Sequence, residues 1–224
     1  MRRIQREVSM GFTKETFPAG THMCLIYSDD LERRKLISKF LECGLKAGEM
    51  IAYFVDTMTS EDAENWLVSM NVDIPHGSKA GQLSIKAAES TYCPNGRFVP
   101  EDMLDTLRCF YRQTIKEGYP GARVSGEMTW ALKGIPGSER LMEYEARVND
   151  VLVTHPVTAI CQYDANRFDG ATIFDVLRVH PMMIVSWRDG TVFTFFLWKH
   201  PINFTDFYKL ESTISMNLLH TSRS

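Results

Sequence analysis

The sequence lacks the features that would place the protein in a membrane, outside the cell or on nucleic acid. It has no run approaching the roughly 20 apolar residues that a membrane-spanning helix needs. No apolar segment follows the basic N-terminus, so we expect no secretion signal. The net charge is −3 and no basic face is evident, which argues against nucleic acid as a direct partner.

Cysteine pairs are also missing. The five cysteines are scattered and contain no CxxC pair, which argues against a disulfide framework and against a zinc ribbon. Their odd number suits a reducing compartment, so we expect a cytoplasmic protein. The cysteines are Cys24, Cys43, Cys93, Cys109 and Cys161.

Glycine is absent from the turn where a phosphate-binding loop would need it. Residues 20–27 (GTHMCLIY) predict a buried strand that runs directly into a helix, the junction where nucleotide phosphates bind in many α/β proteins. A phosphate cradle needs glycines and often a lysine, but this turn carries Asp29, Asp30 and Glu32. The strand itself carries His22 and Cys24 on one face. This chemistry favours binding of a small molecule over ATP hydrolysis.

Strands and helices alternate from residue 22 to about residue 186. This order predicts an α/β fold with three αβα layers and a mostly parallel central sheet. An Asp-Gly turn near the C-terminus predicts an antiparallel hairpin at the sheet edge. The predicted strands are 23–27, 50–55, 82–87, 122–126, 157–163, 182–187 and 191–198, and the predicted helices are 31–44, 61–70, 100–116, 138–153, 171–179 and 204–219.

The 224 residues fit one large domain with short flanking segments. We expect a flexible arm over residues 1–19, the α/β domain over 20–200, and a helix or tail over 201–224. The hairpin and the terminal helix are apolar on one face, with Phe193, Phe195, Phe196 and Trp198 close together. They either cover the core or form a homodimer interface, and we favour the dimer.

Polar residues follow several of the predicted strands. Ligands of open parallel sheets bind beyond the carboxyl ends of the strands, so Asp56, Glu127 and Asp164 are expected around one crevice. Both aspartates are alternatively turn formers or helix caps. Glu127 follows Gly126, which permits close backbone approach, and a carboxylate at that position is a candidate for a perturbed pKa. Tyr27, Trp130 and Tyr163 are expected to form apolar walls.

Histidine and cysteine side chains offer a second kind of chemistry. His22, Cys24, Cys161 and His180 are candidates for a metal site, and either central cysteine is a candidate nucleophile beside a histidine. However, cysteines on central strands are usually core residues, and the spacing matches no recognised zinc pattern. We therefore assign no metal ligand and no catalytic residue, and the sequence identifies no cofactor.

Several segments together resemble a known family. They are 20–27 (GTHMCLIY), 40–49 (FLECGLKAGE), 123–130 (RVSGEMTW), 143–145 (EYE), 160–164 (ICQYD) and 180–181 (HP). In order and spacing, this combination resembles the MEDS domain, a methanogen and methylotroph sensory domain that also occurs in a dichloromethane-responsive repressor. The resemblance spans about residues 18–190. It implies a RecA/KaiC-like fold, here without a phosphate loop.

The resemblance implies a sensory module for simple hydrocarbon derivatives such as methanol, methylamines or chloromethanes. Members are often fused to DNA-binding or kinase partners, but nothing in this sequence resembles either, so we expect a stand-alone sensor that signals through another protein or a dimer. An enzyme with Cys or Glu chemistry and a degenerate nucleotide-binding scaffold remain the alternatives. The predicted ligand-binding residues are His22, Cys24, Tyr27, Glu127, Trp130, Tyr144, Cys161, Tyr163 and Asp164.

Overall fold

A seven-stranded sheet forms the centre of the protein. The structure is a computed structural model that describes residues 6–186 and 192–197. Its strands are β3 (His22–Tyr27), β4 (Met50–Val55), β5 (Leu83–Ala87), β6 (Ala122–Glu127), β7 (Val157–Asp164), β8 (Met182–Ser186) and β9 (Val192–Phe196). The strand order is β5-β4-β6-β7-β3-β8-β9, with every neighbouring pair parallel except β8 and β9.

Helices cover both faces of this sheet, which confirms the predicted three-layer αβα fold. The helices are α1 (Asp30–Lys46), α2 (Ser60–Ser69), α3 (Ala88–Tyr92), α4 (Pro100–Lys116), α5 (Leu141–Thr154) and α6 (Gly170–Val179). Buried residues of α1 and α2 pack with one set of strand side chains, and those of α4, α5 and α6 pack with the other set. Among the described helices, none is both long and apolar enough to cross a membrane.

Local chemistry explains where the main helices begin. The Asp29 side chain accepts a hydrogen bond from the Glu32 backbone N–H at 2.9 Å and caps α1. Thr59 caps α2 in the same way, by accepting from the Asp62 backbone N–H. Pro100 begins α4 because its fixed φ suits the first helical turn and its missing N–H costs nothing there.

The segment before residue 20 differs from the flexible arm that we expected. Its described part contains β1 (Glu7–Ser9) and β2 (Thr16–Pro18), which form a two-stranded antiparallel sheet. Val8, Met10 and Phe17 are buried and join the core on the α1 side. Each strand is only three residues long with one buried side chain, so its period-2 pattern is too short to detect.

Other differences are smaller. The predicted helix 138–153 begins as a 3-10 turn, Ser138–Arg140, before α5, and the sequence pattern missed the short helix α3. The antiparallel pairing of β8 with β9 confirms the edge hairpin. Its Asp-Gly turn, Trp198 and the predicted tail 201–224 with its helix lie outside the described residues.

Candidate functional site

The predicted site residues occupy separate environments, not one crevice. Successive residues of a strand point to opposite faces of the sheet. Glu127 therefore faces the α1 side, where it contacts Arg33, whereas Cys161 faces the α5 side, where it contacts Glu145. The sheet itself therefore separates these two predicted ligand-binding residues.

Glu127 lies at the centre of a buried hydrogen-bond network. Its Oε1 accepts from Arg33 Nη1 at 2.7 Å and from the Tyr53 hydroxyl at 2.9 Å. Its Oε2 accepts from the backbone N–H groups of Asp56 and Thr57 at 2.9 and 2.8 Å. Burial alone would raise the pKa of Glu127, but Arg33 and the backbone donors outweigh that effect and lower it. The carboxylate thus fixes the turn after β4.

Both aspartates make contacts within the fold, and Asp164 makes the turn-forming contact that was its alternative. Asp56 accepts from the Thr129 hydroxyl and from Lys133 Nζ, both at 2.7 Å, and so holds the segment that follows β6. Asp164 Oδ1 accepts from the Asn166 backbone N–H at 2.9 Å, as a turn-forming aspartate does. Asp164 also borders an open cleft.

Trp130 and Tyr144 belong to a buried aromatic group on the α5 side. Trp130 stacks on Tyr92 with 4.8 Å between ring centroids, and Tyr144 meets Tyr92 edge-on at 6.0 Å. Phe98 completes the group. All of these rings are buried, so in this structure they form core and not the wall of an open pocket.

The most unusual feature is a polar group buried between the sheet and α5, which we call the Glu145 cluster. Tyr163 donates to Glu145 Oε1 at 2.6 Å, while Oε2 lies 3.3 Å from His22 Nε2, 3.4 Å from Cys161 Sγ and 3.5 Å from His180 Nε2. The imidazole rings of His22 and His180 are 4.3 Å apart between centroids. None of the five side chains is more than marginally exposed.

The sequence pointed to four members of this cluster but not to its central residue. His22, Cys161, Tyr163 and His180 were candidates, whereas Glu145 was not. The available signal was its helical position, four residues before Asn149, whose side chain also points into the structure. Cys24 lies beside the cluster, with its Sγ 3.6 Å from the Met182 carbonyl oxygen.

Burial dominates the electrostatics of the Glu145 cluster. It lowers the pKa of His22, and the neighbouring His180 lowers it further. It raises the pKa of both Cys24 and Cys161, and the Glu145 charge raises them again. Burial would also raise the pKa of Glu145, but the two histidines outweigh it and hold that pKa well below its usual range. Both thiols therefore stay protonated at neutral pH, which disfavours a free thiolate nucleophile.

A cleft of about 320 Å³ opens beyond the carboxyl ends of β3 and β7. We call it the strand-end cleft. Its lining includes two predicted site residues, Tyr27 and Asp164, together with Ser28, Asp30, Arg34, Thr57, Asn166 and Arg167. A larger cavity of about 640 Å³ lies between α4 and strands β4 and β5, but no predicted site residue lines it.

The comparisons with known proteins decide the family. The family model "MEthanogen/methylotroph, DcmR Sensory domain" matches residues 21–181, most of the chain. The chain belongs to the MEDS family. Its sequence is 30% identical over 162 residues to the transcriptional repressor DcmR of Methylorubrum extorquens. That match covers 71% of this chain and 57% of the repressor, so this MEDS chain spans little more than half of its relative.

Solved structures show the fold of this MEDS domain. A KaiC-like protein of Pyrococcus horikoshii aligns with a TM-score of 0.60 at 16% identity and covers 89% of this chain and 93% of its own. The flagellar accessory protein FlaH of Methanocaldococcus jannaschii aligns with a TM-score of 0.59 at 12% identity, with 85% of each chain covered. The fold is therefore RecA/KaiC-like, as the resemblance implied.

Proposed function

We propose that this MEDS chain is a sensory module that binds a small hydrocarbon derivative in the strand-end cleft and passes the signal to a protein partner or a second copy. The family is a sensory one, and the relative is a transcriptional repressor, which supports a regulatory role. One-carbon compounds such as methanol, methylamine and chloromethanes are the first ligands to test. A cytoplasmic location fits the free cysteines and the repressor relative.

The observation that carries this proposal is the position and chemistry of the strand-end cleft. It lies where open parallel sheets bind their ligands. Between its lining residues Ser28 and Asp30, the Asp29 side chain already caps α1, so a carboxylate stands where a nucleotide phosphate would otherwise approach the helix N-terminus. The Tyr27 ring and the Asp164 carboxylate offer an apolar surface and a polar group to a small molecule.

Ligand size limits the affinity that such a site can reach. Small ligands gain at most about 1.5 kcal/mol per heavy atom, so methanol or methylamine is limited to about 3 kcal/mol. That limit corresponds to a Kd of several millimolar. The cleft volume of about 320 Å³ also accommodates larger derivatives. A useful screen therefore combines one-carbon compounds at tens of millimolar with larger alcohols, amines and halides.

A thermal-shift screen with matched variants tests the proposal. We expect a compound from these classes to raise the Tm of the native protein, and Tyr27→Ala or Asp164→Asn to remove most of that rise. Glu143→Gln, an exposed change on α5, is the control and should keep the full shift. No stabilising compound, or equal shifts in all variants, would contradict the proposal.

The same screen tests the alternatives. Stabilisation by adenosine nucleotides alone would favour a nucleotide-binding scaffold. Turnover of a ligand, followed by product analysis, would favour an enzyme. Sedimentation of the protein with and without its ligand distinguishes signalling through a second copy from signalling through another protein.

A further inference from the structure

The Glu145 cluster brings together atoms that metals bind. His22 and His180 offer Nε2, Glu145 offers a carboxylate oxygen and Cys161 offers Sγ, and these four atoms lie within 4.8 Å of one another. They come from β3, α5, β7 and the residue that follows α6, so they are distant in sequence and meet only through the fold. No two of them belong to a linear zinc motif, which explains why spacing did not reveal the set.

Hydrogen bonds outside the cluster fix the histidine tautomers. Asn149 Nδ2 donates to the Val179 carbonyl oxygen at 2.8 Å, so its Oδ1 accepts from His22 Nδ1 at 3.0 Å. His180 Nδ1 donates to the Val176 carbonyl oxygen at 2.8 Å. In its neutral form, each ring therefore directs the lone pair of its Nε2 towards Glu145. Metal-bound histidines are held in the same way, by an N–H donated from the other ring nitrogen.

These lone pairs point towards one another, and the cluster has too few protons to form hydrogen bonds between them. His22 Nε2 and His180 Nε2 approach Glu145 Oε2 to 3.3 and 3.5 Å, and when both rings are neutral all three atoms are acceptors. Cys161 has one proton and cannot satisfy them all. His180 Nε2 is fully buried and has no hydrogen-bond partner in the described structure. A buried acceptor without a donor is costly, whereas a cation at the centre would satisfy every lone pair.

We propose that the Glu145 cluster binds a divalent transition metal of the zinc class through His22, Glu145, Cys161 and His180. Bond lengths of about 2.0–2.3 Å in tetrahedral geometry separate ligand atoms by roughly 3.3–3.8 Å. The separations that involve Glu145 Oε2 are 3.3–3.5 Å, and His22 Nε2 lies 3.5 Å from Cys161 Sγ. Two imidazoles, one thiolate and one carboxylate suit zinc better than magnesium or calcium.

Four protein ligands make this a closed site, which is typical of structural rather than catalytic zinc. On binding, the Cys161 S–H bond breaks, an Sγ–metal bond forms and the proton leaves to solvent. The metal would link β3 to β7, α5 and the end of α6. Tyr163 is a positioning residue, since its hydroxyl fixes the Glu145 carboxylate through the other oxygen.

Elemental analysis and cobalt substitution of the full chain test the proposal. We expect one metal per chain and, with Co²⁺, a thiolate-to-cobalt charge-transfer band together with the intense visible absorption of four-coordinate cobalt. Cys161→Ser should abolish the charge-transfer band, and Cys24→Ser, the adjacent buried thiol, should retain it. Asn149→Ala and Tyr163→Phe should each weaken binding by about 10–100-fold.

The cobalt titration of the native chain needs no variant, so misfolding of a variant cannot obscure the result. Absence of stoichiometric metal and of both absorption features would show that protons hold the cluster, and would overturn the proposal. A charge-transfer band that survives Cys161→Ser would overturn the assigned ligand set. None of these outcomes depends on the strand-end cleft, because Tyr27 and Asp164 do not belong to the cluster.

Discussion

Arg33 and Glu127 form an ion pair with 2.7 Å between Arg33 Nη1 and Glu127 Oε1, and both side chains are fully buried. The pair joins α1, whose first turn borders the strand-end cleft, to the end of β6. Arg33 Nη2 also lies 2.7 Å from Asp30 Oδ1, at the start of α1. The ion pair therefore holds the first turn of α1 against the sheet.

Loss of the Glu127 carboxylate should destabilise the protein strongly. Glu127→Ala leaves the Arg33 charge and the Asp56 and Thr57 N–H groups buried without their acceptor. Removal of one partner of a buried pair typically costs about 3–5 kcal/mol, and urea unfolding measures it. Glu143→Ala, which breaks an exposed pair with Arg140, is the control and should leave the unfolding free energy unchanged. If Glu127→Ala and Glu143→Ala both changed the free energy of unfolding only slightly, the result would contradict the buried network.

The same carboxylate should give the protein part of its acid sensitivity. Because the folded structure lowers the pKa of Glu127 below its ordinary 4.5, ionised Glu127 stabilises the fold above that pH. This stabilisation is lost as the pH falls through the lower, folded pKa. In urea unfolding from pH 7 to pH 3, the stability difference between the native chain and Glu127→Gln should therefore be largest at pH 7 and should narrow in acid. A stability difference between the two proteins that stays constant from pH 7 to pH 3 would exclude this role of Glu127.

Gly126 should tolerate no side chain. A Cβ at this position would lie 2.5 Å from Tyr92 Oη, inside the buried aromatic group, so Gly126→Ala must displace that ring. Overpacking of this kind usually costs about 1–3 kcal/mol, measured by urea unfolding. Gly170→Ala is the matched control, because nothing lies within 4 Å of the position that its Cβ would take, in the first turn of α6. If Gly126→Ala left the free energy of unfolding unchanged, the Tyr92 ring would have to move freely.

The sequence predicted well what depends on short-range pattern. Periodicity gave the α/β order and the central strands, and the close approach expected at Gly126 is confirmed by its contact with Tyr92. The sequence could not predict whether side chains on two different strands lie on the same face of the sheet. Glu127 and Cys161 both sit on central strands, yet register and pleat place them on opposite sides of the sheet.

The sequence did not identify Glu145, the central residue of the cluster, for a similar reason. Glu143 and Glu145 differ by two helical positions, and only the packing of α5 decides that Glu145 faces the sheet while Glu143 pairs with Arg140 in solvent. His22 and His180 meet because β8 pairs with β3, a long-range contact. Such non-local pairing is not encoded in the spacing of the residues concerned.

Thiol reactivity should separate the cysteines by burial. Cys109 is exposed and Cys43 is half-buried, whereas Cys24, Cys93 and Cys161 are buried. Burial also raises the pKa of Cys93 to about 11, so little thiolate is available there. With a thiol reagent at neutral pH, we expect fast modification at Cys109, slower modification at Cys43 and reaction of the buried thiols only after unfolding.

Peptide mapping of the modified sites checks this order, and Cys109→Ser should remove the fast phase. Fast labelling of Cys24 or Cys161 in the native chain, blocked by a ligand, would instead support the enzyme alternative, because a reactive thiol must be both accessible and ionised. The experiment also bears on the Glu145 cluster. Because burial alone protects both thiols in the native chain, a metal on Cys161 should show itself under mildly unfolding conditions, where Cys24 reacts first and Cys161 reacts only after a chelator removes the metal.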